Sequence, residues 1–372
     1  MKKTLALFLA LMMILTLCSC GGNGETAQEP AGNPSSAADG DTPDFSGREL
    51  VMGVWGGTYA DAALEAYVEP FEEMTGATIT LEEYGADVTV KIISQEEQGM
   101  EGIDIVTGCG VLDQMAMMAD AGALMELDYS QMPNSEYVDA KYDYCVGQYI
   151  MSGTIAWNED VYGDDPPDTM AKFFDVVNYP GNRGECGFSP TGRFESILLA
   201  NGVEKEDLYP IDEERAWELF NENNYKDSVT VWWDSGSTIR QALADGEVDC
   251  GVFWGGSIIE AIKVDGLDNI GVSFDNSNLL TDCMAIASTC SDPELAHAFV
   301  DYCLSAEAQA KWSELKFYAP VNPQAYDLMD PELVQYFPTA EENVDKTFWC
   351  DVDYWTENFE RITDDWLEWI AS

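Results

Sequence analysis

The sequence predicts an α/β protein of two lobes with largely parallel strand pairing, and three observations carry that expectation. Strand-like and helix-like stretches alternate from Leu50 onward, the pattern of a parallel sheet covered by helices. One stretch, Val229 to Ser257, reads as a complete β-α-β unit with tryptophan at both strand ends. The roughly 325 residues beyond position 47 exceed one ordinary core, so two domains are expected.

Leu50–Trp55 predicts a strand, and Gly56-Gly57-Thr58 turns it into a helix whose apolar positions Leu64, Tyr67, Val68 and Phe71 recur at helical spacing. Gly76 ends that helix. Thr78–Tyr84 follows as a strand, Val88–Gln98 as a helix, Ile103–Thr107 as a strand and Val111–Ala121 as a helix. Gln148–Trp157 is strand-like, and the alternation restarts after Pro166-Pro167 with helices at Met170–Val176 and from Phe194. Trp217, Leu219 and Phe220 belong to an amphipathic helix. Val229–Trp233 is β-branched and aromatic, and Asp234-Ser235-Gly236-Ser237 supplies a turn and a helix cap. Thr238–Leu243 is a short helix, and Val248–Trp254 returns as a strand into Gly255-Gly256-Ser257. Gly271–Phe274 and Met284–Ala287 read as two strands, and Leu295–Leu304 as a helix.

In open α/β sheets ligands sit beyond the carboxyl ends of the strands, which puts Trp233, Asp234 and Trp254 where a site is expected. Core packing is the competing explanation for the tryptophans. Trp232 and Trp233 are adjacent on a strand, so they face opposite sides.

Met1 to Cys20 carries Lys2 and Lys3, an apolar run from Leu5 to Leu17, and a small-residue end, the layout of a secretory leader over residues 1–19. Residues 20–47 are rich in Gly, Ser, Ala, Pro and acid, with almost nothing to bury, and read as a tether. The chain carries a formal charge of −52, and losing Lys2 and Lys3 with the leader makes it two more negative. Such a surface repels nucleic acid and anionic membrane.

Eight cysteines follow Cys20, widely spread and without CxxC or zinc spacing, so most are expected to be buried small hydrophobes and no metal is expected. Cys283 and Cys290 are the candidate disulfide. His297, the only histidine, lies off its helix stripe and is expected at the surface; one histidine so placed gives no Ser-His-Asp or Cys-His triad. WGGT lacks both a following Gly-Lys and a GxGxxG, so no nucleotide cofactor is expected.

Leu17-Cys18-Ser19-Cys20 resembles the bacterial lipobox, which implies cleavage before Cys20 and a lipid on it. WGGTYADA at 55–62, EPFEEMTG at 69–76, NYPGNRG at 178–184, VWWDSG at 231–236, ALADGEVDCGVFWGG at 242–256, TDCMAIAST at 281–289 and YAPVNPQA at 318–325 together resemble the extracellular solute-binding proteins of ABC importers, nearest the spermidine/putrescine branch. The resemblance implies a type II periplasmic-binding-protein fold, with residues 48–155 plus 281–325 as one lobe and 156–280 plus 326–372 as the other. It implies a monomer, anchored by lipidated Cys20 outside the cytoplasmic membrane or periplasmic, that delivers a small cation such as a polyamine to a membrane permease. By position it implies ligand contacts at Trp55, Tyr59, Trp254 and Asp282, with Asp234, Trp233, Glu195, Arg193 and Tyr318 as further candidates. Leu280 departs from the branch, which has tryptophan there, and Glu195 matches only with a shift of one. Arg193 suits a carboxylate ligand equally well.

A carbohydrate or amino-acid-like ligand is the alternative within that role. No enzymatic activity is expected: a secreted glycosidase needs two carboxyls about 5–10 Å apart, and no hydrolase motif accompanies Asp234 and Asp282.

Overall fold

The computed structural model describes residues 43–372 except Ala86. The leader, Cys20 and nearly all of the tether lie outside the described residues. Eight main strands form one sheet: β1 (Glu49–Trp55), β2 (Thr78–Tyr84), β3 (Ile105–Gly110), β4 (Val146–Asn158), β5 (Arg183–Cys186), β6 (Val229–Trp233), β7 (Cys250–Trp254) and β8 (Ile270–Ile286). Their order is β2-β1-β3-β8-β4-β7-β5-β6. β2, β1 and β3 are mutually parallel, as are β7, β5 and β6. Between the two parallel triplets run the long strands β4 and β8, antiparallel to each other and to their outer neighbours. The sheet is thus two parallel halves joined by two strands common to both.

β8 corrects the sequence reading. Gly271–Phe274 and Met284–Ala287 are the two ends of one 17-residue strand. Its polar middle, Asp275-Asn276-Ser277-Asn278, reads as a loop; β4 pairs with β8 on either side of it, Gly153 with Asn278 and Ile155 with Ser273, and residues 274–277 form the irregularity between those two pairs. The helix after β1 differs in phase. Its turn Leu64–Val68 is π-helical, which rotates the residues on either side relative to a regular 3.6-residue repeat. Tyr67, Val68 and Phe71 are buried, whereas Leu64 is 40% exposed. Phe45, counted with the tether, is buried against Phe71, so the folded unit starts before residue 48.

NYPGNRG is explained by Arg183. Its guanidinium is fully buried and donates to the carbonyls of Phe173, Tyr179 and Gly181, tying the loop to the start of β5. His297 is also buried, against expectation. Its Nε2 accepts the Asp128 amide at 3.0 Å, so Nδ1 carries the hydrogen donated to Pro293 O at 2.7 Å. All eight described cysteines are buried and free, so Cys283 and Cys290 do not pair.

The C-terminal helix, Val352–Ala371, buries Trp355, Ile362 and Trp366 along one stripe. Trp366 meets Phe220 at 5.4 Å, and Trp232 meets Trp366 at 5.9 Å, while Trp233 on the other face of β6 meets Trp254 at 5.1 Å. The adjacent tryptophans do face opposite sides.

Candidate functional site

Trp55 ends β1, Trp233 ends β6 and Trp254 ends β7, and all three line one cleft of about 810 Å³. Tyr59, Arg193, Asp234, Asp282 and Tyr318 line it too. Eight of the nine expected contact residues are therefore brought together.

Glu195 is the exception. It is fully buried, and its Oε1 accepts from Trp355 Nε1 at 2.6 Å and from the Tyr209 hydroxyl. Arg193 and Glu195 both lie in the helix Arg193–Ala200, and residues two apart point about 200° apart on a helix. Once Arg193 faces the cleft, Glu195 faces the C-terminal helix. Burial pushes its carboxyl above the usual range.

On one wall, Trp55 donates its indole N–H to Gly108 O at 2.7 Å and packs edge-on against Tyr84. Tyr59 donates its hydroxyl to Gln148 Oε1 at 3.1 Å. Gly108 allows this arrangement: its φ is +62°, and a Cβ there would stand 2.5 Å from the Tyr59 oxygen and 2.9 Å from the Trp55 ring. Asp282, 8% exposed, accepts from the Tyr149 hydroxyl at 2.7 Å. Tyr149 is in turn stacked on Tyr318, with ring centres 4.6 Å apart. Burial pushes the Asp282 carboxyl up to about 7; the Tyr149 hydrogen bond opposes this, and the charge of Asp113 adds to it. Asp113 lies in the turn Val111–Met115, and its carboxyl is also raised by burial. Neither Asp282 nor Asp113 is in an ion pair among the described residues. Lys316 lines the cleft with its pKa lowered by burial, and donates to Thr58 Oγ1 at 3.0 Å.

On the other wall, Trp254 and the exposed Phe188 ring meet at 6.0 Å. Trp233 is 1% exposed and gives its indole N–H to Val252 O at 3.0 Å, so it backs Trp254 and offers little surface of its own. Asp234 is exposed, with its carboxyl lowered by hydrogen bonds from Thr238 and Ser235 at the start of the helix Gly236–Asp245. Arg193 is buried, its Nε on Glu185 and its Nη1 on Asn278 Oδ1 at 3.2 Å. Glu185 is tied further by Tyr225, whose hydroxyl donates to it at 2.8 Å.

Sequence reasoning missed Tyr149, Asp113, Phe188 and Phe359 on the C-terminal helix, all lining the cleft. Asp113 carried a usable indication, a lone acid inside the apolar run after Gly110.

The arrangement suits capture: aromatic faces, the buried Asp282 and part-buried Asp113 carboxylates outside any ion pair among the described residues, the Arg193 guanidinium and the Lys316 ammonium around a solvent-open volume. Residues 66–340 match the family described as bacterial extracellular solute-binding protein. A gamma-aminobutyric acid-binding protein of Pseudomonas aeruginosa is 25% identical over 336 residues, covering 87% of this chain and 91% of that protein. Spermidine/putrescine-binding periplasmic protein 1 of Haemophilus influenzae is 23% identical over 360 residues, covering 92% of each. The solved structure of a GABA receptor aligns with a TM-score of 0.77 and 29% identity, over 87% of this chain and 98% of that one. These relatives are solute-binding receptors, and their fold is the periplasmic-binding-protein fold expected here. The family match spans most of the chain, and the protein belongs to the bacterial extracellular solute-binding proteins.

Proposed function

We propose that this solute-binding protein of an ABC transporter captures a short solute bearing a primary ammonium group. Asp282 and Asp113 hold the ammonium, and the rings of Trp55 and Trp254 flank the aliphatic chain. The observation that carries this is the state of Asp282: a buried carboxylate, bonded to a neutral tyrosine, beside a second carboxylate and in no ion pair among the described residues. Burying an unpaired charge is costly, and a ligand ammonium removes that cost. A charge-assisted hydrogen bond contributes about 1.5–3 kcal/mol and a desolvated cation on an indole face about 0.5–2 kcal/mol.

The far end of the solute distinguishes two members of this class. Arg193 supports an amino acid whose carboxylate lies away from its amine, since it is a guanidinium in the same cleft as the two acids; two of the relatives named above are GABA proteins. Asp234 supports a polyamine, offering an exposed carboxylate to a second ammonium; the Haemophilus relative binds spermidine and putrescine.

Residues 48–155 with 281–325, and 156–280 with 326–372, act as two lobes that close over the solute about β4 and β8. The register shift between Gly153 and Ile155 supports a hinge there. The protein works as a monomer, tethered by lipidated Cys20, and presents the closed form to a permease.

Calorimetry on the purified chain with GABA, putrescine and spermidine tests this, with Asp282→Asn as control. Micromolar binding of one of them, lost in the variant, is expected; no heat from any amine rejects the ammonium reading and leaves the transport role in place.

A further inference from the structure

We propose that Phe359, on the C-terminal helix, is an end wall of the cleft that sets the length of solute accepted; this rests on the amine reading above. Trp355, Phe359, Ile362 and Trp366 are spaced i, i+4, i+7 and i+11, which puts them on one face of the helix. Trp355, Ile362 and Trp366 on that face are fully buried in the core. Phe359 is only partly buried and lines the cleft.

The helix that carries Phe359 is fixed on both sides of it. Four residues before, Trp355 donates its indole N–H to Glu195 at 2.6 Å. Seven residues after, Trp366 donates its own to Cys186 O at 3.2 Å, and Cys186 both ends β5 and lines the cleft. The same helix packs against Val111–Met115, the turn that carries Asp113. Phe359 is thus a rigid ring on a helix held between the Arg193 wall and the Asp113 wall. An ammonium anchored at Asp282 and Asp113 fixes the solute in the cleft that Phe359 lines, so a ring held fixed there limits the length the cleft accepts. Pockets discriminate single methylenes by about 10–200-fold, so a change of side-chain volume at this position is readable.

Calorimetry on the full chain with ω-amino acids and α,ω-diamines of increasing length tests the assignment, comparing wild type with Phe359→Ala and Phe359→Trp. The wild type shows an optimum length; alanine moves it to longer solutes by one or two methylenes, with a gain of about tenfold for the longer member, and tryptophan moves it to shorter ones. Tryptophan keeps the aromatic packing and so carries the test if the alanine variant unfolds. An unchanged optimum in a variant that still binds overturns the end wall and leaves the amine reading intact. If the wild type binds no member of either series, the amine reading fails and the end wall falls with it.

Discussion

Asp282 and Tyr149 are register partners on β8 and β4, and the tyrosine hydroxyl donates to the carboxylate at 2.7 Å. Tyr149 is held by stacking on Tyr318 at 4.6 Å and on Trp312 at 5.7 Å, so the carboxylate is positioned before any solute arrives. Asp282→Asn keeps the shape and removes the charge. Losing a charge-assisted hydrogen bond of about 1.5–3 kcal/mol weakens amine binding by roughly 10–150-fold in calorimetry.

The pH dependence has a definite sign. The free Asp282 carboxyl titrates near 7, above its ordinary value, because it is buried. A bound ammonium needs it ionised, so below pH 7 each amine must displace a proton. Affinity is expected to fall about tenfold per pH unit below 7, level off above it, and show proton release as a buffer-dependent heat. A carboxyl raised on folding contributes stability that is lost as pH rises through 7. Asp282→Asn should therefore raise the thermal midpoint of the ligand-free protein at pH 8 while losing the ligand.

Arg193 separates the two classes of amine. Arg193→Lys keeps the charge but cannot hold Glu185 and Asn278 in the same fork. GABA binding is expected to weaken by about tenfold and putrescine binding to stay within about twofold. Equal loss of both would make Arg193 a structural partner of Glu185 alone.

Glu195 predicts the opposite pattern. Glu195→Gln loses the charge that accepts from Trp355 and Tyr209, which costs about 1–3 kcal/mol of stability on thermal or urea unfolding. The solute affinity of the folded protein stays unchanged, because the group faces away from the cleft.

The β-α-β unit at 229–257 was legible because strand, cap and glycine stop all agree, and the strand-end rule then located Trp233, Asp234 and Trp254. Arg193 and Glu195 were both expected as contacts from the family pattern; their two-residue spacing keeps them off one wall once the helix Arg193–Ala200 is known to include both. Other features depend on partners far away in sequence. His297 is buried because the Asp128 amide reaches it, and β8 runs on as one strand because β4 pairs with it on both sides of its polar middle. Asp113 acquires meaning only when β8 brings Asp282 beside Gly110. Phe359 enters the cleft because two indole N–H groups fix its helix there.

The two long strands also govern the order in which the molecule can be completed. β3 has no partner on its inner edge until β8 arrives, and Gly110 pairs with Asp282, far along the chain. Synthesis proceeds at about 5–20 residues per second, so the amino-terminal triplet waits many seconds as an unfinished sheet with an open edge. Such a chain remains unable to close on itself until most of it exists. That delay suits a protein bound for the outside of the cell, since a polypeptide that has not yet folded can still be threaded through a membrane.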